Sequence, residues 1–247
     1  MSNLRLGRGK SNYNSNSSMQ IAAKSSRYSL TTSESPANKQ ELQMLQNRVD
    51  PWGNLCAVPD RGTLMGNRGI LHDNSNNIVR PWAHKSWVIC LTKFNNIERP
   101  KPFSKGNYSE LFFLDEATGL AAGHRPCWYC QRERNKLFKD AWIKANVPSE
   151  RRGSVTMAEI DKVIHSERAL PSRGKKTFAA ALTDLPVGTM FDHDDRAYLV
   201  HHHLSFLPWS FAGYGAPVAL DSKLSINVLT PASVVRAFQN GFEPETL

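Results

Sequence analysis

Between residues 132 and 145, Leu137, Phe138, Ala141, Trp142 and Ala145 recur at three- and four-residue intervals, with Arg and Lys filling much of the other side. That spacing predicts an amphipathic helix whose Phe138 and Trp142 belong to a core. The run "TMAEIDKVIHSER" predicts a second helix, with Ile160, Val163 and Ile164 on one face. Thr156 and Glu159 stand at its start with capping-box spacing, and His165 is expected at the surface near its end. Upstream, "WVICLTKF" alternates Trp87, Ile89 and Leu91 against Val88, Cys90 and Thr92, the period of a strand. "LFFLDEATGLAAGHRP" reads as a strand followed by a short helix, capped by Asp115 and stopped by Gly123. Glycines punctuate "VPDRGTLMGNRGILHD" into short strands joined by tight turns. From Thr177 the pattern becomes a meander of strands. "LTPASVVRAFQNGFEP" closes the chain with a helix, Thr230 as its N-cap, Pro231 at its first position and Gly241 as its stop.

Strands and helices do not alternate regularly, so a parallel α/β sheet is not expected. The expected class is α+β: short antiparallel strands with two or three helices after residue 130. Three regions follow. Residues 1–39 form a basic Ser/Asn-rich arm of disordered composition, 40–176 hold the mixed α+β region, and 177–247 are β-rich and end in a helix. The last region is either a separate domain or part of the second. The arm has five Lys or Arg before its first acidic residue, Glu34, which also fits a transit peptide.

Composition narrows the class. The chain has 247 residues, 40% hydrophobic, and no apolar run of membrane-spanning length. Four cysteines without a secretory pattern point to a reducing, cytoplasmic setting rather than to a disulfide framework. The net charge of +9 is uneven: residues 125–176 carry thirteen basic and six acidic groups, whereas 177–247 carry three and seven. Positive charge gathers at Arg125, Arg132, Arg134, Lys136 and Lys139, and again at Arg151, Arg152, Arg173, Lys175 and Lys176. Such a surface is the footprint of DNA or another nucleic acid, held through counterion release, and it is also what a solvated helix face looks like.

The most specific chemistry is Cys127 and Cys130 in "HRPCWYCQRE". A Cys-x-x-Cys turn presents two thiolates to one metal ion, zinc above all, and its backbone amides can point at the sulfurs. The same spacing also fits a redox pair or two unconnected cysteines. The other half of a zinc site must come from elsewhere: Cys90 with one of Cys56, His72, His84 or His124. Glycines 62, 66 and 69 match neither the Walker nor the dinucleotide pattern.

Residues 110–132 resemble the second half of the metal-binding domain of the Ada family, the methylphosphotriester-type DNA repair proteins. There an FF strand and an Ala-rich helix lead through Gly-aromatic-Arg-Pro-Cys into Cys-x-x-Cys. Phe112, Phe113, Glu116, Ala117, Ala121, Gly123, Arg125, Pro126, Cys127 and Cys130 stand in the matching places. The resemblance implies a zinc held by cysteines, and a thiolate that accepts a methyl group from a DNA phosphotriester. The family's upstream Cys-x-x-x-Cys is incomplete here, since Ser86 and Phe94 stand four residues either side of Cys90.

Asp192, His193, Asp194 and Asp195, followed by His201, His202 and His203, offer a different chemistry. Carboxylates and imidazoles can hold a divalent ion that activates water for phosphodiester hydrolysis. The simpler reading has Asp-Asp making a hairpin turn, because consecutive histidines on a strand point to alternate sides. The expected function is therefore a zinc-binding protein that contacts nucleic acid beside its knuckle. The alternative is an enzyme, either a thiolate methyl acceptor at Cys90 or a metal-dependent hydrolase.

Overall fold

In a computed structural model of the chain, the described residues are 44–97, 101–170, 172 and 174–247. The basic arm over 1–39 and Arg173 lie outside them. The described residues belong to one compact unit, Leu42–Leu247. The class is α+β.

Six short strands, β1 (Arg48–Val49), β2 (Leu55–Cys56), β3 (Leu64–Asn67), β4 (Val88–Leu91), β5 (Leu111–Phe113) and β6 (Arg125–Pro126), form a sheet ordered β2-β1-β5-β3-β4-β6. It is mixed rather than antiparallel as the pattern suggests, for β1 pairs parallel with β5 and β4 parallel with β6. The cause of the second pairing is α1 (Glu116–Ala121), which carries the chain from β5 to the far edge and returns it in the same direction. Strands running the same way need such a crossover, where antiparallel ones need only a turn. Asp115 caps α1 as expected, its carboxylate accepting from Thr118 N at 2.8 Å, and Gly123 follows with a left-handed φ of +90°.

The apolar stripes of α2 (Arg132–Asn146), α3 (Met157–Arg168) and α4 (Ala232–Gln239) meet this sheet in one core. Phe138, Trp142, Ile160, Ile164, Val234 and Phe238 pack with Val49, Ile89, Leu111 and Phe113. The Thr156–Glu159 capping box is present in full. Two details depart from the pattern. Val163 is 38% exposed, and the buried face of α3 carries Asp161 and Arg168 instead, three residues before and four after Ile164. Thr230 does not cap α4: its hydroxyl accepts from Met190 N at 2.9 Å, and the helix begins after Pro231.

Gly62 lies against β5 so closely that a Cβ would stand 2.3 Å from the Phe113 carbonyl oxygen. Gly62→Ala is expected to destabilise the fold by about 1–3 kcal/mol through overpacking. A urea titration reads this as a lower midpoint, and an unchanged midpoint would show that residues 62 and 63 can back away from β5.

The second sheet, β7 (Phe178–Ala181), β8 (Met190–His193), β9 (Arg196–His202), β10 (Ser205–Ser210), β11 (Gly213–Tyr214) and β12 (Ser225–Val228), is antiparallel in the order β11-β10-β9-β8-β12-β7. Its inner face holds Phe191, Tyr198, Val200, Phe206, Ile226 and Val228. It joins the first sheet through α1, where Ala117 and Ala121 pack on Met190, Leu199 and Leu229. Two hydrogen bonds fasten the joint: Tyr214 Oη donates to Asp115 at 2.8 Å and Trp209 Nε1 to Thr118 Oγ1 at 3.0 Å. The acidic C-terminal region is thus anchored on the helix that leads into the Cys-x-x-Cys turn.

Candidate metal centre

The β4–β6 pairing builds the site. Cys127 follows directly after β6, and its N–H donates to the Ile89 carbonyl at 2.8 Å, which extends the pairing and sets Cys127 beside Cys90. The turn then folds back into α2 under three restraints. Gln131 N donates to Cys127 O at 3.0 Å, Gln131 Nε2 to Ile89 O at 2.8 Å, and Asn135 Nδ2 to Pro126 O at 2.7 Å. Cys130 is thereby brought to the same point.

The three sulfurs of Cys90, Cys127 and Cys130 lie within 4.8 Å of one another and could hold a metal ion. Thiolates sharing one tetrahedral zinc at about 2.3 Å stand roughly 3.8 Å apart, so little rearrangement separates this cluster from a ligated one. Backbone amides already point at two sulfurs, Tyr129 N at Cys127 and Leu91 N at Cys130, each at 3.4 Å. Cys130 is buried, while Cys90 and Cys127 are half-buried. Hydrogen bonds from the Cys130 and Cys90 thiols hold the Cys127 thiol far below its ordinary range. Cys90 is pushed far up, by its bonds to Cys127 and Cys130 and then by burial. Without a cation the cluster therefore stabilises one thiolate and resists a second. A divalent ion reverses that balance, since a coordinating thiol is deprotonated outright.

None of the proposed fourth ligands reaches the cluster. Cys56 is on β2, at the opposite edge of the sheet, 4.0 Å from an Asp50 oxygen. His72 bonds Ser109 Oγ at 2.6 Å and stacks on Phe103. His84 faces Arg168, and burial and that charge lower its pKa. His124 is fully buried between Trp87 and Phe113, accepting from Arg68 Nε at 3.1 Å. All four cysteines and eight histidines are among the described residues, and only three cysteines meet. A fourth position would thus fall to an oxygen ligand, a solvent molecule or a bound partner group.

The basic residues expected on phosphate divide. Arg132 is exposed, its guanidinium 4.8 Å from the ring centre of Trp128, and Lys136 is exposed with Lys139 half-buried behind it. Arg125 is instead buried, in a two-point ion pair with Asp161 at 2.8 and 2.9 Å. Its place on β6 turns it into α3 rather than toward solvent. Arg134 is also committed, bonding Glu116 at 2.5 and 3.2 Å and the Glu243 carbonyl at 2.5 Å. The turn's own aromatic residues are exposed: Trp128 is 53% and Tyr129 68% exposed, the latter edge-on to Phe94.

The Asp/His run is a hairpin. Asp194 and Asp195 both have left-handed φ, 51° and 57°, as a two-residue turn between β8 and β9 requires. Asp192 accepts from Trp52 Nε1 at 2.7 Å. Among the described residues these groups do not gather as metal ligands. His165 is half-buried, edge-on to Trp82 and Trp87, rather than a plain surface residue.

Fold and site together define an α+β protein with a three-cysteine cluster at one sheet edge. No protein-family model, curated protein or solved structure matches the chain. No helix among the described residues is long and apolar enough to cross a membrane.

Proposed function

We propose that this chain is a zinc-thiolate protein that contacts nucleic acid with the surface around its Cys-x-x-Cys turn. One observation carries the reading: three sulfurs lie within 4.8 Å of one another, and the two residues between Cys127 and Cys130, Trp128 and Tyr129, are exposed. The metal would hold the turn rigid, so that both aromatic faces are presented at little entropic loss. Bases of a single strand stack on such faces, and Arg132 with Lys136 supplies charge for the backbone. The buried Arg125 and the committed Arg134 take no part.

The test is fluorescence anisotropy with a labelled single-stranded oligonucleotide across a salt series. Trp128→Ala is expected to weaken binding about 10-fold or more, the loss of one stacked base. Arg132→Gln is expected to lower the log-log salt slope by about 0.7. Binding that ignores salt, or that survives Trp128→Ala and Tyr129→Ala together, would remove this surface from consideration.

A second reading is favoured by the missing fourth Cys or His, because an open metal position marks a reacting rather than a closed centre. In the chemistry that the Ada-type resemblance implies, a Cys90–methyl bond forms as the phosphotriester carbon–oxygen bond breaks, leaving a phosphodiester anion. Incubation with a methylphosphotriester oligonucleotide would then add one methyl to the intact mass. Cys90→Ser would abolish the addition while the fold persists. No added mass after long incubation rules this reading out.

A further inference from the structure

Two buried arginines meet a lysine at a cavity that none of the cysteines lines. Arg68 and Arg168 are each 2% exposed, and Lys175 is half-buried beside them. All three line one cavity of about 40 Å³, walled by Trp52, Trp82 and Trp87. Their partners are neutral. Arg68 donates to Gly53 O at 2.9 Å and to His124 Nε2 at 3.1 Å. Arg168 donates to the Gly123 carbonyl and, at 2.5 Å, to Lys85 O, and Lys175 donates to the Ala121 carbonyl. Among the described residues none of the three is in a salt bridge, and Arg68 Nη2 and Arg168 Nε are buried without any hydrogen-bond partner.

Three cations thus converge where one carboxylate, Asp50, lies near enough to be felt by Arg68 and Lys175. Asp161 is close to Arg168 but is spent on Arg125. Buried charge of one sign without a counter-ion is strongly unfavourable. Trp87 relieves part of it, with the two guanidiniums 4.2 and 3.6 Å from its ring centre. That contact holds both guanidiniums at one ring, which is preorganisation for an anion rather than its replacement. Burial first, then the two arginines, lowers the Lys175 ammonium to about 7, and burial lowers Arg68 to about 9.

We infer that Arg68, Arg168 and Lys175 form a binding site for the terminal phosphoryl group of a phosphomonoester. The size fits, for a single water needs roughly 10–15 Å³ of such space, and the cavity holds a few waters or one tetrahedral oxyanion. Arginine forks match phosphoryl oxygens in two-point geometry, and Lys175 adds a point charge. The cavity shares Gly53, Asn54, Arg68 and Pro81 with a wider cleft of about 270 Å³ that runs on past Ile78 and Arg80. An end group can enter the narrow part while the rest of the ligand lies in the cleft. An internal phosphodiester has two continuations, and the cleft offers a path for one of them. The site is independent of the metal.

The full chain is titrated with inorganic phosphate, against sodium chloride at matched ionic strength, while its thermal unfolding is followed. At a hundredfold excess over Kd the midpoint is expected to rise by about 5–10 °C in phosphate alone. Lys175→Met, at the edge of the cavity, is expected to weaken phosphate at least 10-fold by calorimetry, and Arg68→Met to abolish the response with native circular dichroism retained. Equal midpoints in phosphate and chloride, or an undiminished phosphate response in Lys175→Met, would overturn the site. The source of the phosphoryl group is read by competition. An oligonucleotide with a 5′-phosphate that displaces inorganic phosphate, where its 5′-hydroxyl counterpart does not, assigns the site to nucleic-acid ends. Displacement by adenosine 5′-monophosphate but by neither oligonucleotide assigns it to a small phosphomonoester. Cys127→Ser is expected to bind phosphate as the natural protein does, so loss of the metal reading leaves this site standing.

Discussion

Cys127→Ser is expected to abolish stoichiometric zinc binding. Elemental analysis of untagged protein, purified without chelator, should find one zinc per chain in the natural sequence and none in the variant. The expectation rests on the cluster's chemistry. With two sulfurs left, the three-sulfur site within 4.8 Å loses a ligand that cannot be replaced, because no other cysteine or histidine lies near it. Free zinc a thousandfold above its Kd stabilises the folded chain by about 4 kcal/mol, roughly 8–16 °C in midpoint for a chain of this length. Chelation should lower the natural midpoint by that order and leave the variant's unchanged. Ligation requires the thiols to lose protons, so zinc should also be released progressively as the pH falls. The turn is restrained by Gln131 and Asn135 as well as by metal, so the apo chain is expected to remain folded. Absence of metal from the natural protein would end the zinc reading.

Arg125→Met is expected to cost about 3–5 kcal/mol of stability, as the loss of one partner from a buried ion pair does. The pair is two-pointed, at 2.8 and 2.9 Å, with side chains 8% and 4% exposed. Asp161 would keep only the Ser86 hydroxyl, at 2.6 Å, as a hydrogen-bond partner, and remain a buried carboxylate with no ion pair, Arg168 being felt only at longer range. The double variant Arg125→Met, Asp161→Leu should recover most of the loss, because two apolar groups leave no stranded charge. Urea unfolding of the two variants beside the natural protein measures both steps. A single variant within about 1 kcal/mol of the natural protein would mean that water reaches Asp161 and that the pair is surface-like. Oligonucleotide binding by whatever fraction stays folded should be unaltered, which separates Arg125 from the exposed Arg132.

Short-range patterns carried far along this chain. The helix over Arg132–Asn146 is legible because Phe138 and Trp142 repeat at helical spacing. The start of α3 is legible because Thr156 and Glu159 satisfy each other's backbone within one turn. Asp115 and Gly123 bracket α1 for similarly local reasons. Asp161 and Arg168 carry a further signal: charged residues standing in the apolar register of a helix are a sign of buried partners, and they sit at i−3 and i+4 from Ile164.

By itself, then, the sequence determined the α+β class, the main helices with their caps, the Cys-x-x-Cys turn and the gathering of positive charge around it, since each depends on residues within a few positions of one another. Only the tertiary structure decided that Cys90 joins Cys127 and Cys130 while Cys56 and the histidines do not, because strand order in a sheet is set by a crossover through α1 that no local period encodes. It likewise decided which basic residues face water. Arg125 and Arg132 look alike in the chain, yet β6 turns one into Asp161 and α2 turns the other out over Trp128. The same holds for Arg68, drawn into one cavity with Arg168 and Lys175 from a segment 100 residues away by packing around Trp87.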